Sequence, residues 1–193
     1  MIRKLFSFFA FLLCVSCGYH LSDSFVAISI PFIEGDEKGA LTQQLISEVV
    51  KSPLMTYQPS SQTQLQIKII SVENEQIGYK RDRNPDGTVR KDIMPIEGRQ
   101  TIIADISLID LKKGDSLIEK RRITAYADYD FVEQNSIKDL SFIDQNNQRE
   151  KIIQFSLGQL ESKAEAQEAS LMPLYKALSK KIIHSISQRY EDH

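Results

Sequence analysis

The two cysteines of this chain, Cys14 and Cys17, are its most reactive side chains and have the CxxC spacing of a redox pair. Redox pairs of this kind normally lie at the start of a helix that follows a strand. Here both cysteines belong to an apolar stretch at the N-terminus instead. The surrounding sequence therefore argues against thiol–disulfide exchange and points to a different use of the cysteines.

Other residues that could perform catalysis are sparse. The histidines are His20, His184 and His193, which lie far apart and outside any recognised metal-binding motif. The sequence has no HExxH, no Gly-x-Ser-x-Gly elbow, no P-loop and no GxGxxG. Residues 82–87 resemble a calcium loop only in part, because the later acidic ligands are missing, and they are typical of a turn. We expect a protein that is not an enzyme and has no metal or cofactor.

The N-terminus has the pattern of a secretory signal. Residues 1–4 are basic, and the apolar stretch that follows covers residues 5–15. A helix needs about 20 apolar residues to span a bilayer, so this stretch is too short for that. A basic start, a short apolar segment and small residues at its end indicate a cleaved signal peptide over residues 1–16.

The end of this leader matches the lipobox of bacterial lipoproteins. Ser16 stands directly before Cys17, the residue whose thiol receives a diacylglyceryl group in that class. Cleavage before Cys17 leaves an amino group that is acylated in turn, commonly with palmitate. The sequence departs from the pattern at Cys14, where leucine is usual, with Leu13 one step earlier. The alternative is an ordinary signal peptide with incidental cysteines; otherwise residues 17–24 are a lipidated tether.

Composition limits what the rest of the chain can be. The 193 residues include 24 Lys+Arg and 26 Asp+Glu, and without Arg3 and Lys4 the remainder has 22 basic and 26 acidic groups, a net charge of −4. This balance does not suit a surface that follows nucleic acid. With 41% hydrophobic and 26% charged residues, the chain is not disordered by composition. Its length favours one domain, over residues 25–190.

Apolar periodicity predicts the elements of that domain. Helical spacing indicates one helix over residues 39–52 and another over about 160–190, with Leu174, Leu178 and Ile182 in its apolar stripe and Pro173 as a kink or a first-turn residue. The residues between and before these helices indicate strands at 25–33, 65–70, 101–109 and 117–131, a turn at 112–115, and polar segments at 77–99 and 133–150. The order β-α-β-β-β-α predicts a two-layer α/β sandwich, in which two helices pack on a mixed four-stranded sheet.

Basic residues cluster in two places in this acidic chain. If neighbouring hairpins bring the clusters together, the guanidinium and ammonium groups would bind phosphates, as on an anionic glycolipid. The alternative is that these charges only solvate strand ends and pair with nearby acids. The candidate binding residues are Arg81, Arg83, Arg90, Lys91, Lys120, Arg121 and Arg122.

Short motifs resemble one family. Cys17 and the Gly-Tyr-His-Leu that follows it resemble the Cys-Gly-(Phe/Tyr)-His-Leu start of LptE, the lipopolysaccharide-assembly lipoprotein of Gram-negative outer membranes. Residues 78–87 are similar to the family's tyrosine-containing strand and Asp-Gly turn. Residues 77–99 and 155–160 are similar to its chlamydial-type branch.

The resemblance implies a function. LptE is the plug and assembly partner of the β-barrel LptD and helps to deliver lipopolysaccharide to the outer leaflet. The chain would then be anchored by lipid in the outer membrane and face the periplasm, with LptD and lipopolysaccharide as partners and no nucleic acid. Direct lipopolysaccharide binding through basic residues is also ascribed to the family, but the candidate residues above rest on charge clustering alone. The alternative is a lipoprotein of another envelope complex, such as a secretin pilot or a barrel-assembly factor.

Overall fold

The computed structural model describes residues 25–191, except residues 82–83, 85–87, 92, 133–140 and 152–161. The strands and helices are, in chain order, β1 (Val26–Ile28), α1 (Ala40–Lys51), β2 (Met55–Tyr57), β3 (Thr63–Lys80), β4 (Met94–Asp110), β5 (Asp115–Asp130), β6 (Ser141–Ile143), β7 (Arg149–Lys151) and α2 (Lys163–Glu191).

The three long strands form an antiparallel sheet in the order β3-β4-β5. β1 and β2 pair in parallel as a separate two-stranded sheet. The chain after β1 then runs along β3, with parallel bridges from Ser29 to Gln64 and from Glu34 to Lys68. The predicted two-layer α/β sandwich with a mixed arrangement of strands is confirmed. The predicted four-stranded sheet is instead a three-stranded sheet and a parallel pair, and isolated bridges join the pair to β3. The strand β2 is an addition that the sequence pattern does not indicate.

Both helices contribute to the core on one side of the sheet: α2 packs against β4 and β5, and α1 packs against α2 and β2. In β4, Ile102, Ala104, Ile106 and Leu108 alternate into this face and are almost fully buried. The apolar stripe predicted for the C-terminal helix is buried as expected, because residues three to four apart lie on one side of a helix. Each such leucine or isoleucine contributes about 1.5–3 kcal/mol when it leaves water. The helical contribution to the core consists of Leu41, Leu45, Val49, Leu174, Leu178, Ile182 and Ile186.

Asp36 fixes the start of α1. Gly39, the N-cap residue, adopts a left-handed φ of 68° and supplies no side-chain cap. The buried Asp36 carboxylate does so instead, accepting hydrogen bonds from the Thr42 amide at 2.8 Å and from the Leu41 amide at 3.3 Å. The turn before the helix therefore also caps it.

The prediction of a polar loop over residues 77–99 is wrong at both ends. β3 continues to Lys80 and β4 begins at Met94, and the two strands stay paired throughout, with register shifts near Ser71 and Gly78. Backbone hydrogen bonds hold this ladder, which therefore does not need the alternating apolar residues that reveal a strand in sequence. Part of the predicted polar excursion at 133–150 is likewise ordered, as the small β6–β7 hairpin.

The C-terminal helix is a single element of 29 residues with Pro173 inside it. Proline has no amide hydrogen to donate, so the carbonyl of Ala169 lacks its usual helical partner at this point. The helix nevertheless continues on both sides of the proline. Neither helix in the described part of the chain is both long and apolar enough to cross a membrane.

Candidate functional site on the outer face of the sheet

A carboxylate lies buried on the face of the sheet that the helices leave uncovered. Alternation along β4 places Asp105 on this outer face, opposite the core residues Ala104 and Ile106. Asp105 is only 5% exposed. In register it faces Arg122 on β5 and Lys68 on β3. The central strand thus carries an acid between two cations.

Two cations hold the Asp105 carboxylate. Arg122 donates through Nε to Oδ1 at 2.9 Å and through Nη2 to Oδ2 at 3.3 Å. The Nζ of Lys120 lies 3.0 Å from Oδ2. Lys120 and Arg122 are two residues apart, so both point to the outer face, and their own side chains are 69% and 62% exposed. Because two cations share one anion, the cluster carries a net positive charge on its exposed side.

These contacts keep Asp105 ionised. The hydrogen bonds from Arg122, followed by those from Lys120, lower the pKa of Asp105 from 3.8 to about 2 against the opposing effect of burial. The same ion pair raises the pKa of Arg122. Asp105 and Arg122 are therefore both charged at physiological pH, and the carboxylate holds the side chains of Arg122 and Lys120 in place.

A shallow groove of about 460 Å³ adjoins this cluster. Its rim includes Lys68, whose Nζ is 2.6 Å from Oε1 of Glu34, and Phe32, which is 77% exposed. Polar side chains of Gln64, Gln66 and Ser107 line it together with Asp105 and Lys120. We name this groove, lined by Phe32, Lys68, Asp105 and Lys120 among others, together with the adjoining Arg122, the outer groove. It offers cations, neutral hydrogen-bonding groups and one exposed aromatic ring to a ligand.

The structure separates the two basic clusters, which the sequence left open to converge if their hairpins were neighbours. Arg81 follows Lys80, which pairs with Met94 at the far end of β4. Eleven residues separate Met94 from Asp105, which at about 3.3 Å per residue is roughly 36 Å. Arg81 and Lys91 are exposed there.

The remaining candidate residues are placed differently. Arg90 lies at the same far end, with its Nε 3.2 Å from Oδ1 of Asn84. Arg121 is exposed and faces Ile106 in register, on the opposite face from Lys120 and Arg122. Arg83 and the predicted lipidation residue Cys17 lie outside the described residues. Of the candidates that the structure describes, Lys120 and Arg122 therefore share Asp105 as a partner.

Sequence reasoning missed the residues that complete this site. Asp105 is the one charged residue between Thr101 and Ile109, and that isolation in an apolar strand was an available signal. Phe32 and Lys68 had no comparable signal, because Lys68 faces Asp105 through the register of β3 with β4, and Phe32 lies near it through the parallel bridge between Glu34 and Lys68.

A second polar cluster lies on the same face and is internally satisfied. Arg99 binds both oxygens of Asp128, at 2.7 and 2.9 Å, and its guanidinium lies 4.3 Å from the centre of the Tyr126 ring. The hydrogen bonds from Arg99 lower the pKa of Asp128. This arrangement uses the donors of Arg99 within the sheet. No group of three or more potential metal-binding side chains occurs within the described ranges.

Comparison with known proteins finds likeness in structure only. No family model matches the chain, and no curated protein matches its sequence. A lipoprotein from Caulobacter crescentus is 15% identical, with a TM-score of 0.46, covering 83% of this chain and 88% of that one. Rare lipoprotein B from Shewanella oneidensis is 14% identical, with a TM-score of 0.45, covering 86% and 97%.

A homologue of neuraminyllactose-binding hemagglutinin from Helicobacter pylori is 11% identical, with a TM-score of 0.49, covering 89% of this chain and 90% of that one. Lipoproteins are thus among the solved structures that resemble this chain. At these identities and TM-scores, no ligand, partner or activity is transferred from them.

Proposed function

We propose that this chain is a non-enzymatic lipoprotein of the LptE type, anchored in the outer membrane through lipid on Cys17. In this role it is the plug and assembly partner of an LptD-like barrel and helps to deliver lipopolysaccharide to the outer leaflet. The support from sequence is the leader that ends in Ser16 and Cys17, together with the Gly-Tyr-His-Leu at residues 18–21.

The character of the outer face supports a role inside a barrel. The lumen of a plugged barrel is polar, so a plug should expose charged and polar groups of both signs. The outer face exposes Lys120 and Arg122 beside Gln66, and the ion pair of Arg99 with Asp128 further along. A face of this kind suits a polar, water-containing lumen.

The outer groove is the proposed contact for lipopolysaccharide, and the single observation that carries this is the cationic pair held by a buried carboxylate. Asp105 fixes Lys120 and Arg122 while leaving both side chains mostly exposed. Exposed ammonium and guanidinium groups bind phosphate oxygens through charge-assisted hydrogen bonds. The amide side chains and the Phe32 ring provide hydrogen bonds and an apolar surface for an attached sugar.

Titration of the full-length chain in mild detergent with lipopolysaccharide tests the groove. Replacing Lys120→Gln and Arg122→Gln together should weaken binding about tenfold or more at low salt, and the loss should shrink as salt rises. The matched control is Lys112→Gln with Lys113→Gln, which removes the same charge from the exposed β4–β5 turn. Equal losses in both variants would show that only net charge matters and would refute a site in the groove.

The same lipopolysaccharide titration tests the other predicted basic cluster, which includes Arg81 and Arg83. Arg81→Glu combined with Arg83→Glu weakens binding if the far end of the β3–β4 hairpin contacts the glycolipid. Unchanged binding at low salt would remove that cluster from the proposed contact and leave the outer groove as the site.

Crosslinking mass spectrometry in the native envelope tests the partner. The expected result is crosslinks from lysines such as Lys68 and Lys120 to a large barrel of the LptD type. Crosslinks to a secretin or to a barrel-assembly complex, without such a barrel, would overturn the proposed partnership.

A further inference from the structure

Part of β3 has an open edge. β4 pairs with one side of β3 along its whole length, and the segment after β1 bridges to the other side at Gln64 and Lys68. From Ser71 to Tyr79, no described strand pairs with that second side. At about 3.3 Å per residue, this leaves roughly 26 Å of β3 with no neighbouring strand on that side among the described residues.

The most regular part of this edge covers residues 71–76. Six consecutive residues there keep an unbroken register with β4, from Ser71 opposite Ile103 to Gln76 opposite Gly98, and register shifts lie on either side. We name this stretch the open edge. It contains no proline and no lysine, two of the residues with which natural proteins protect exposed strand edges, and its charged side chains are Glu73 and Glu75.

The other edge of the sheet is protected in that way. On β5, Lys181 donates from Nζ to the carbonyl of Thr124 at 2.8 Å. Three consecutive cations, at residues 120–122, also stand on this strand. The two edges therefore differ in charge, and the glutamates of the open edge favour an added strand of complementary charge over an unselective one.

The side chains of the open edge indicate which residues a docked strand should contain. Val72 is 47% exposed and faces the buried Ile102, so it lies on the helix-covered side of the sheet. Glu73 and Glu75 face Thr101 and Arg99, so they lie on the outer side and are exposed. A strand added here would place apolar residues beside Val72 and basic residues beside the glutamates.

A second copy of this chain does not meet these requirements. Pairing two open edges would bring Glu73 and Glu75 of one copy against the same glutamates of the other, and like charges on opposed strands destabilise the pairing. We propose that the open edge docks an extended segment of a partner protein in which basic and apolar residues alternate. The segment adds to the sheet as a strand, and the backbone provides much of the binding energy. The inference is independent of the lipopolysaccharide role of the outer groove.

Amide hydrogen exchange on the full-length chain in mild detergent tests the proposal. The probe is a short synthetic peptide that alternates lysine and valine, compared with one that alternates glutamate and valine. The lysine peptide should slow exchange at residues 71–76 and bind about tenfold or more tightly, because two cross-strand charge pairs change from repulsion to attraction. Slowed exchange at β5 instead, or none with the lysine peptide, would overturn the proposal.

Neutralising the glutamates distinguishes charge-dependent binding of the peptide from non-specific binding. Glu73→Gln with Glu75→Gln should remove most of the preference for the lysine peptide, whereas the control Asp115→Asn with Glu119→Gln on β5 should preserve it. Far-UV circular dichroism confirms that each variant is folded. An unchanged preference in the Glu73→Gln, Glu75→Gln variant refutes the charge argument, and self-association through residues 71–76 without peptide would identify a second copy as the occupant.

Discussion

Gly98 is the residue whose replacement most directly tests the packing between the sheet and the start of α2. It lies on β4 opposite Tyr129 of β5, and a Cβ built on Gly98 would overlap the Tyr129 ring. That ring has little room to move, because Tyr129 is buried in a small cluster with Phe131 and Ala166. We therefore expect Gly98→Ala to force the ring out of its place.

Gly98→Ala should lower the free energy of unfolding because it adds a methyl group to a site that is already filled. Such changes typically destabilise by about 1–3 kcal/mol. For a domain of this size, each kcal/mol lowers the melting temperature by roughly 2–4 °C, so Gly98→Ala should lower it by roughly 2–12 °C. Urea unfolding followed by circular dichroism measures the free energy of unfolding directly, provided that the slope with denaturant stays the same.

A double-mutant cycle identifies the cause. Tyr129→Leu removes the atoms that the new methyl group would meet, so Gly98→Ala should cost at least about 1 kcal/mol less in that background. Gly114→Ala is the control, because Gly114 has a left-handed φ of 73° with open space around it, and its cost should not depend on Tyr129. A neutral Gly98→Ala, or costs that simply add with Tyr129→Leu, would refute the steric argument.

Three further predictions concern single polar groups. Asp36→Ala removes the side-chain cap of α1 and should cost about 1 kcal/mol in urea unfolding, while the exposed neighbour change Glu37→Ala should cost little. Because the folded pKa of Asp105 is lowered from 3.8 to about 2, its stabilising effect is complete above pH 4 and is lost as the pH falls towards 2. The stability difference between wild type and Asp105→Asn should therefore close over that range, and a difference unchanged at pH 2 would contradict the ion pairing. Ser170→Ala leaves the side-chain oxygen of the buried Gln100 without its donor and should cost about 1–3 kcal/mol by thermal unfolding.

Apolar periodicity explains which parts of the fold could be predicted from sequence. The stripe that contains Leu174 and Leu178 and the alternation that contains Ile102 and Ile106 each determine a buried face, and both are confirmed. Residues 71–76 carry polar side chains on both faces except Val72. No pattern in the side chains distinguishes such a stretch from a loop, because its conformation is held by backbone pairing to β4.

The candidate site was predictable only in part for a related reason. Clustering in sequence identified Lys120 and Arg122, but it could not identify Asp105 as their partner, since that contact depends on the register between β4 and β5. Register is a property of the whole sheet and of its bulges. The same dependence explains why Arg81 and Lys120, both near hairpins in sequence, lie at opposite ends of β4.

The outer groove and the open edge have opposite charge on neighbouring parts of one strand, and distance decides whether they influence each other. Glu73 is five residues beyond Lys68 along β3, which is roughly 16 Å. The Debye length at physiological salt is about 8 Å, so the glutamates do not neutralise the cations of the groove. Glu73→Gln with Glu75→Gln should therefore leave lipopolysaccharide binding unchanged, and Lys120→Gln with Arg122→Gln should leave peptide protection of residues 71–76 unchanged. If either pair of substitutions alters binding at the other site at physiological salt, the two surfaces act as one and the assignment of separate ligands is wrong.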